Sequence, residues 1–521
     1  MRGVIRKSVV IIVSILLGFS LGKSSLLQAQ SGDAKALLEQ SAKAMGGLQA
    51  LRSLKNQVVE GEGKQFDSSS TPRPGGATRQ ISTFRYTLTR DLTQPRMKLE
   101  WDGKSLGARD DVRFVEIIDG SVGLLQEGSS SGKQSRLHPA RLATRLREEK
   151  RAAAKIILVA LGEKSLKRLP DAELDGKRCQ VLAFQDSGDE FRIYLDPTTH
   201  LPTQVEILED DPLEGDSRYT LRYSDWRKVD SVMIPFGLRL ELNGKPLQED
   251  QIKSVRNNVS LAPDTFSVPE SIRNQKPDAK AIASQWLLRR VAGNVSYQDL
   301  GRNPPVEFVQ IADGVYQIQG SSHNTIIIEM RDYLVAVEGP LYEERSYPVV
   351  KAVKERFPNK PIRYVIPTHH HLDHAGGIRG FMAEGAIVVV PFIAQSFYAR
   401  VAKAPHTLRP DSLEKNRRAV VIESYGGGYR ALTDGSRQIQ IYPMPTSHAV
   451  DFQVIYLPRE KIVIEADHVS PRKGLVRSAP AVKEFVEGID KLQLDVTTVA
   501  GIHGDTAPMQ AARAAVQGGG R

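Results

Sequence analysis

Histidine is concentrated in one short stretch of the chain. Four of its 11 histidines fall within residues 369–374, in the sequence HHHLDH. His369 and His371 are two residues apart, so in an extended segment their side chains point the same way, and Asp373 and His374 follow directly. Zn²⁺ binds neutral imidazole nitrogens and accepts carboxylate oxygens. The spacing therefore offers two sets of ligands aimed at adjacent points, which is enough to begin two metal sites.

Three side chains further along the chain are predicted to complete these sites. His448 follows the apolar stretch IQIYP, Asp467 follows KIVIE, and His503 follows VTTVAG. Each time the order is an apolar strand, a polar loop and a side chain that can bind a metal. Because an open sheet places its site in loops at strand ends, these side chains are expected to converge on the histidine run.

The elements that must position these residues read as a sheet covered on both faces. From about residue 306 the sequence predicts strands with a tight turn at Arg331–Asp332, a helix over 342–357, and buried strands at IRYVIP and GAIVVVP. Near-continuous apolar strands that alternate with helices are typical of such a sheet. The histidine run begins where IRYVIP ends and turns at Gly376–Gly377.

Residues 306–521 resemble the metallo-β-lactamase fold, a four-layer αββα sandwich with its metals at one rim. The resemblance rests on the H-x-H-x-D-H run and on the later histidine, aspartate and histidine. It implies seven metal ligands, which are His369, His371 and His448 for a first zinc, Asp373, His374 and His503 for a second, and Asp467. The expected cofactor is one or two Zn²⁺ ions, with iron or manganese as alternatives.

Two of the implied roles depend on the branch of the family. Asp467 matches the position that bridges both metals in hydrolases similar to glyoxalase II, whereas in other branches this aspartate does not bridge. Glu338 lies in VEGP, where the family often has Asp-x-Gly. We expect the Glu338 carboxylate to orient a metal ligand from behind.

The implied activity is hydrolysis by a metal-activated hydroxide, with Asp373 as the catalytic residue that orients it. The substrate would be a small molecule with an ester, lactone, thioester or amide bond. The chain has no G-x-S-x-G motif for a serine nucleophile. The alternatives are a β-lactamase, an envelope protein that binds lipid and uses the metal domain as a scaffold, and an iron-dependent oxidoreductase.

Four further histidines lie outside the implied set of ligands. His323, in GSSHNTIII, is either a substrate contact or a polar residue at a strand end, and His468 either faces the site from a second layer or packs nearby. His370 points away from its neighbours in an extended segment, so we expect it to be a spectator. His406 lies in a loop that is expected to cover the site.

The N-terminal half, residues 31–270, is predicted to be an antiparallel β domain with helices. Strand-like segments alternate with Asn-Gly, Asp-Gly and Pro turns, helices are expected over 31–55 and 139–161, and the segment DSSSTPRPGGATR is expected to be a surface loop. This half resembles the LolA-like lipoprotein carriers, in which a curved antiparallel sheet wraps helices. The resemblance implies a lipid or acyl ligand, and residues 271–305 read as a connecting helix and linker.

The first 29 residues read as a signal peptide. A basic start precedes the apolar segment 8–22, which is shorter than the roughly 20 residues that span a bilayer. Cleavage is expected after Ala29, with an uncleaved anchor as the alternative. Cys179 is the single cysteine, which excludes an internal disulfide and favours a periplasmic or secreted bacterial protein.

Charge provides little evidence for a charged partner. The net charge is +10, but lysine and arginine are spread along the chain and mixed with acidic residues. The sequence contains no nucleic-acid-binding motif. We therefore expect no nucleic-acid partner, and contact with a membrane through the signal sequence alone.

Overall fold

The computed structural model describes residues 32–106, 111–128, 132–276 and 305–517. The predicted signal peptide over 1–29 and most of the predicted connecting segment over 271–305 lie outside these residues. The described residues form a 13-stranded, a 7-stranded and a 6-stranded sheet. Within the same ranges, no helix combines the length and the apolar character that crossing a bilayer requires.

The N-terminal half is one large antiparallel sheet in which β1 pairs with β13 near the middle. Its strands are β1 Asn56–Asp67, β2 Arg79–Asp91, β3 Arg96–Ser105, β4 Val112–Asp119, β5 Val122–Glu127, β6 Gln134–Arg136, β7 Lys167–Leu174, β8 Lys177–Asp186, β9 Asp189–Leu195, β10 Pro202–Asp211, β11 Gly215–Val229, β12 Val232–Leu242 and β13 Lys245–Asn257.

Helices pack against this sheet and close its core. Ala34 and Leu38 in the helix over 32–44, and Ile156 and Ile157 in a later helix, share one apolar cluster with strand residues such as Ile193. The predicted helix break at Gly46–Gly47 is confirmed, but the predicted single helix over 139–161 is two helices. The helices of this half are 32–44, Leu48–Ser53, Pro139–Lys150, Ala153–Gly162 and Glu270–Arg273.

The C-terminal half contains two sheets that face each other. The first is antiparallel over β14–β17 and parallel over β17–β20, and the second has one parallel pair, β24 with β25. Their strands are β14 Glu307–Ala312, β15 Val315–Gln319, β16 Thr325–Glu329, β17 Leu334–Val337, β18 Ile362–Ile366, β19 Ile387–Pro391, β20 Ile422–Tyr425, β21 Arg430–Thr433, β22 Gln438–Pro443, β23 Gln453–Leu457, β24 Ile462–Glu465, β25 Thr498–Gly501 and β26 Thr506–Pro508.

Helices cover the outer faces of both sheets and complete four layers. Ile326 of the first sheet and Val454 of the second lie in one fully buried cluster between the sheets, whereas Val350 and Phe381 cover the outside of the first. The helices are Glu343–Arg356, Leu372–Ala375, Ile378–Ala383, Phe392–Ala394 (a 3₁₀ turn), Gln395–Lys403, Ser412–Lys415, Pro480–Leu492 and Met509–Gln517. This arrangement agrees with the αββα sandwich predicted for this half.

The two halves are joined by direct contacts at two places. At the first, Asp216 donates its backbone N–H to Pro405 O and accepts from the Thr407 hydroxyl, each at 2.6 Å. Beside it, His406 Nδ1 lies 2.5 Å from Asp210 Oδ1, and both side chains are buried. The second contact is made by the segment between β1 and β2.

The prediction that this segment is a surface loop is wrong for part of its length. Ser70 is 3% exposed and Thr71 is 1% exposed. The Gly, Ser and Pro composition correctly indicates a loop, but composition does not report that another part of the chain folds over it. The loop is buried because it lies against the histidine run, where Ser69 O accepts from Leu372 N at 3.3 Å.

Replacing Gly376 by alanine should destabilise the segment that carries the histidine run. A Cβ at Gly376 would lie 2.1 Å from Leu341 O and 2.6 Å from Leu372 O, so backbone must shift. We expect a loss of about 1–3 kcal/mol in the free energy of unfolding, measured in urea on metal-free protein. Gly426→Ala is the control, since a Cβ there meets no atom within 4 Å. Equal stability of the two variants would contradict the close approach.

Candidate metal centre

Four strand ends bring the predicted side chains to one edge of the sandwich. The histidine run follows β18, the segment with His448 follows β22, Asp467 follows β24, and His503 follows β25. Because β18 and β24 both run in parallel pairs, their carboxyl ends open towards the same rim.

The first cluster consists of His369, His371, His448 and Asp467, whose ligand atoms all lie within 4.8 Å of one another. His448 Nε2 is 3.2 Å from His369 Nε2 and 2.8 Å from Asp467 Oδ2. His369 Nε2 is itself 3.2 Å from the same Asp467 oxygen. These are the residues predicted for the first zinc, together with Asp467, whose bridging role depends on the branch of the family.

The second cluster differs from the predicted set. His374 and His503 lie together as expected, but the third member of this compact group is His323. Asp373 is buried beside the group, with its Oδ2 at 3.5 Å from His323 Nε2. The run offered no sign of His323, because that residue precedes β16, about 50 positions earlier in the chain.

Asp467 lies between the two clusters and touches both. Its Oδ2 is 3.1 Å from His374 Nε2 and its Oδ1 is 2.8 Å from His503 Nε2. The backbone of Asp467 has φ of 62°, which is uncommon for a residue with a side chain. The buried Glu465 carboxylate supports this turn by accepting the N–H groups of His468 and Val469, each at 3.2 Å.

Two groups outside the clusters contact the imidazoles of His374 and His371. Glu338 Oε2 lies 3.1 Å from His374 Nδ1, and Glu338 Oε1 accepts the Thr368 N–H at 2.6 Å. His371 Nε2 lies 3.0 Å from the backbone carbonyl of Thr71, in the N-terminal half. Such contacts select which ring nitrogen carries the proton and which one faces a metal.

Burial keeps several of the imidazoles neutral. Burial, strengthened by neighbouring histidines, holds the pKa of His369 and of His371 well below the ordinary value. The same causes lower the pKa of His323 to about 4. Neutral imidazole is the form that binds a metal ion.

Buried carboxylates shift the pKa of His374 in the opposite direction. Burial by itself would lower the pKa of His374, but Asp467, followed by Glu338 and Asp373, outweighs burial and raises it well above the ordinary value. Burial, followed by the charge of Asp467, also raises the pKa of Glu465 well above its usual range. The Asp467 charge contributes to both shifts, and a cation bound beside Asp467 would offset that charge.

The residues present fit a pair of metal ions. The Nε2 atoms of His323 and His374 are buried and, within the described part of the chain, have no partner of good hydrogen-bond geometry, although each faces a carboxylate oxygen, of Asp373 and Asp467 respectively. The imidazole nitrogens and carboxylate oxygens are the donor set that Zn²⁺ prefers. The side chains of His448, His503 and Asp467 are 25%, 22% and 18% exposed, so one side of the clusters is open to a substrate.

The remaining predicted residues lie around the clusters. His370 is outside both, with its Nδ1 at 2.7 Å from Asp451 Oδ1. The His468 ring packs edge-to-face against the Phe452 ring, with 4.6 Å between the ring centroids. His406, which was expected in a loop over the site, instead contacts the N-terminal sheet.

The fold and the two clusters define a domain with a candidate metal centre at the rim of an αββα sandwich. Residues 339–499 match the metallo-β-lactamase superfamily, and this part of the chain is a domain of that superfamily.

Curated relatives match shorter parts of the chain. An alkyl/aryl-sulfatase of Saccharomyces cerevisiae is 35% identical over 79 residues, which are 15% of this chain and 12% of the sulfatase. A linear primary-alkylsulfatase of Pseudomonas sp is 30% identical over 79 residues, with the same coverage. The 2,4-dinitroanisole O-demethylase subunit alpha of Nocardioides sp. is 26% identical over 159 residues, 30% of this chain and 43% of that subunit. The chain thus spans less than half the length of each relative.

Solved structures align with the C-terminal part of the chain. A metallo-β-lactamase from Pontibacter korlensis covers 41% of this chain and 98% of its own, with 17% identity and a TM-score of 0.32. The flavodiiron protein from Giardia intestinalis covers 41% of this chain and 58% of its own, with 16% identity and a TM-score of 0.31.

Replacing Glu338 by glutamine should weaken metal binding by the second cluster. The glutamine amide cannot match the charge of the carboxylate that faces His374 Nδ1. Since outer contacts of metal ligands typically contribute 10–100-fold, we expect an affinity loss of about that size for Zn²⁺ in a chelator competition. Glu343→Gln, which loses a carboxylate that bonds Ser412, is the control. Unchanged affinity in Glu338→Gln would exclude this role.

Proposed function

We propose that the protein is an exported zinc hydrolase that cleaves an ester bond in a small molecule. The observation that carries the proposal is the meeting of two histidine clusters at the Asp467 carboxylate. Two metal positions that share one carboxylate suit hydrolysis, because attacking and departing oxygens are then stabilised together. Export rests on the predicted signal peptide, and zinc rests on the donor set.

Each residue of the centre has a distinct task in this proposal. His369, His371 and His448 hold the first metal position, and His374 and His503 hold the second. Asp467 would bridge the two positions, since its carboxylate contacts imidazoles of both clusters. When bound, the metal ions supply Lewis acidity and a water of lowered pKa.

Asp373 and His323 share the buried side of the second position. We assign Asp373 as a ligand that also orients the attacking water, as the sequence predicts. Its carboxylate lies beside His323 Nε2 and is 7% exposed, which excludes bulk water from it. His323 adds a third nitrogen to the second cluster and is proposed as a further ligand.

The open side of the centre favours an anionic substrate with an apolar group. Asp505 follows His503 by two residues and accepts the Lys473 N–H at 3.0 Å, which places the neighbouring loop at the rim. Arg472 and Lys473 in this loop are exposed, and Leu475 is 73% exposed. Sulfate esters with alkyl chains have this character, and two of the partial relatives are alkylsulfatases. Carboxylic esters, lactones, thioesters and amides are the alternatives.

A substrate panel with metal analysis tests the proposal. Purified protein should carry up to two equivalents of zinc, and removal of the metal with a chelator should abolish hydrolysis. Alkyl sulfates should be cleaved in preference to carboxylic esters, lactones, thioesters and β-lactams, because the basic side chains of Arg472 and Lys473 attract the sulfate. Turnover that persists in metal-free protein would defeat the proposal. Preference for a β-lactam would instead support the alternative lactamase function.

Asp467→Asn provides the matched test of the shared carboxylate. Removing its charge should lower metal stoichiometry and reduce kcat by more than about 100-fold, since one residue serves both positions. Asp495→Asn is the control, because Asp495 is 73% exposed and pairs with Lys461. Asp467→Asn protein with two equivalents of zinc and normal turnover would rule out bridging.

Replacing His323 by glutamine should remove metal from the second position alone. We expect zinc content to fall from two equivalents towards one, because the second cluster loses a nitrogen. His370→Gln changes a neighbour of the same type outside both clusters and should retain both equivalents. If His323→Gln also retains both, His323 is a substrate contact or a structural residue.

A cavity in the N-terminal half favours a second candidate function, binding of a lipid or other hydrophobic ligand. It has a volume of about 870 Å³ and lies between helices and the β2–β3 turn. Its apolar lining includes Leu51, Leu146 and Leu158, with Arg52 and Lys155 at its edge. Native mass spectrometry of the full chain should detect a co-purified amphiphile. A retained lipid without turnover by the metal domain would favour this binding function.

A further inference from the structure

The segment between β1 and β2, residues 68–78, contacts the metal rim through its backbone. We call it the β1–β2 loop. Ser69 O accepts from Leu372 N at 3.3 Å, and Pro72 O accepts from Val450 N at 2.8 Å. Between these contacts, Thr71 O lies 3.0 Å from His371 Nε2. The loop therefore reaches from the N-terminal sheet to the first metal cluster.

The contact at Thr71 determines the protonation of His371. A carbonyl oxygen can only accept a hydrogen bond, so His371 Nε2 must carry the proton. In a neutral imidazole the lone pair then lies on Nδ1, which becomes the atom available to a metal. The His371 ring centroid lies 4.3 Å from that of His369 and 4.5 Å from that of His448, so the ring lies within the first cluster.

The other two contacts flank metal-facing residues. Leu372 directly follows His371, and Val450 lies two residues after His448. Two of the three backbone segments that carry the first cluster are thus bonded to the same loop. A displaced loop would release the orientation of His371 and loosen the distance between His371 and His448.

The β1–β2 loop is stiffened by its own side chains. Asp67 Oδ1 accepts the N–H groups of Ser69 at 2.7 Å and Ser70 at 3.1 Å, and both serine hydroxyls donate to the same carboxylate. The Thr71 hydroxyl donates to Arg73 O at 2.6 Å. Because these bonds are local, the loop can present the Thr71 carbonyl in one orientation.

We propose that Thr71 is a positioning residue for the first metal position, and that the N-terminal sheet thereby completes the metal centre of the other half. The proposal rests on the metal centre assigned above. It differs from simple packing because the Thr71 carbonyl selects the nitrogen of His371 that faces the metal. The N-terminal half then has a direct part in metal binding, independent of any ligand in its cavity.

Asp67→Ala tests the proposal without altering a cluster residue. Losing the carboxylate should free the loop and lower the Zn²⁺ affinity of the full chain about 10–100-fold in chelator competition. Asp67→Asn keeps an acceptor oxygen for the Ser69 and Ser70 N–H groups and should restore most of the affinity. The visible spectrum of Co²⁺-loaded Asp67→Ala should shift, because the ligand geometry at one position changes.

Asp196→Ala is the matched control in the same sheet. Asp196 caps the turn between β9 and β10 in the same way, by accepting the N–H groups of Thr198 at 2.9 Å and Thr199 at 2.7 Å. It should leave Zn²⁺ affinity and the Co²⁺ spectrum unchanged. A loss of affinity equal to that of Asp67→Ala would show a general effect of turn stability and overturn the proposal.

A second variant removes the Thr71 carbonyl altogether. Asp67 pairs with Arg79 across the hairpin, so an Asn-Gly turn can replace residues 68–78 and close β1 onto β2.

Hydrogen exchange in metal-free protein provides a further readout. The Leu372 and Val450 amides should exchange faster in Asp67→Ala than in the wild type.

The outcomes separate this proposal from the proposed function. Wild-type protein that binds no Zn²⁺ would defeat the proposed function. Wild-type protein that binds Zn²⁺, with equal affinity and an equal Co²⁺ spectrum in Asp67→Ala and the Asn-Gly variant, would overturn the role of Thr71 alone. The expected result is weaker Zn²⁺ binding in Asp67→Ala and in the Asn-Gly variant, with most of the affinity retained in Asp67→Asn.

Discussion

The interaction on which this structure depends is the contact of Asp467 with four imidazoles. One carboxylate oxygen faces His369, His374 and His448, and the other faces His503. Burying so many polar groups without satisfying them would cost several kcal/mol, so the arrangement is stable only if charge and hydrogen bonds balance. Outer carboxylates and carbonyls supply part of that balance, and a bound cation would supply the rest.

The fold meets this requirement by ending strands at one rim and turning sharply there. Glu338 and Asp467 both have positive φ, at 76° and 62°, immediately after buried strands. Such backbone is unfavourable for residues with side chains and persists where surrounding bonds hold it. Glu465 accepts two backbone N–H groups at one turn, and Glu338 accepts one from Thr368 at the other. These hydrogen bonds hold the two turns at the rim of the four-layer core.

The two halves of the chain are joined at the same rim. The β1–β2 loop of the N-terminal sheet lies against the histidine run, and Thr71 in this loop is almost fully buried. Beside the other junction, Leu213 from the N-terminal half enters an apolar cluster of the C-terminal half. The N-terminal sheet and the metal centre of the other half are thus in direct contact.

The sequence by itself determined the local features of the protein. Spacing in the run predicted that His369 and His371 face the same way, and strand-end positions predicted that His448, Asp467 and His503 join them. Apolar strands alternating with helices predicted a sheet covered on both faces, and the resemblance to the metallo-β-lactamase fold implied the sandwich. Only the tertiary structure decided that His323 enters the second cluster, that His406 contacts the N-terminal sheet and that Thr71 supports His371. The reason is physical. Periodicity and turn chemistry act over a few residues, whereas these contacts join positions up to 300 residues apart, and their partners are selected by how the layers pack.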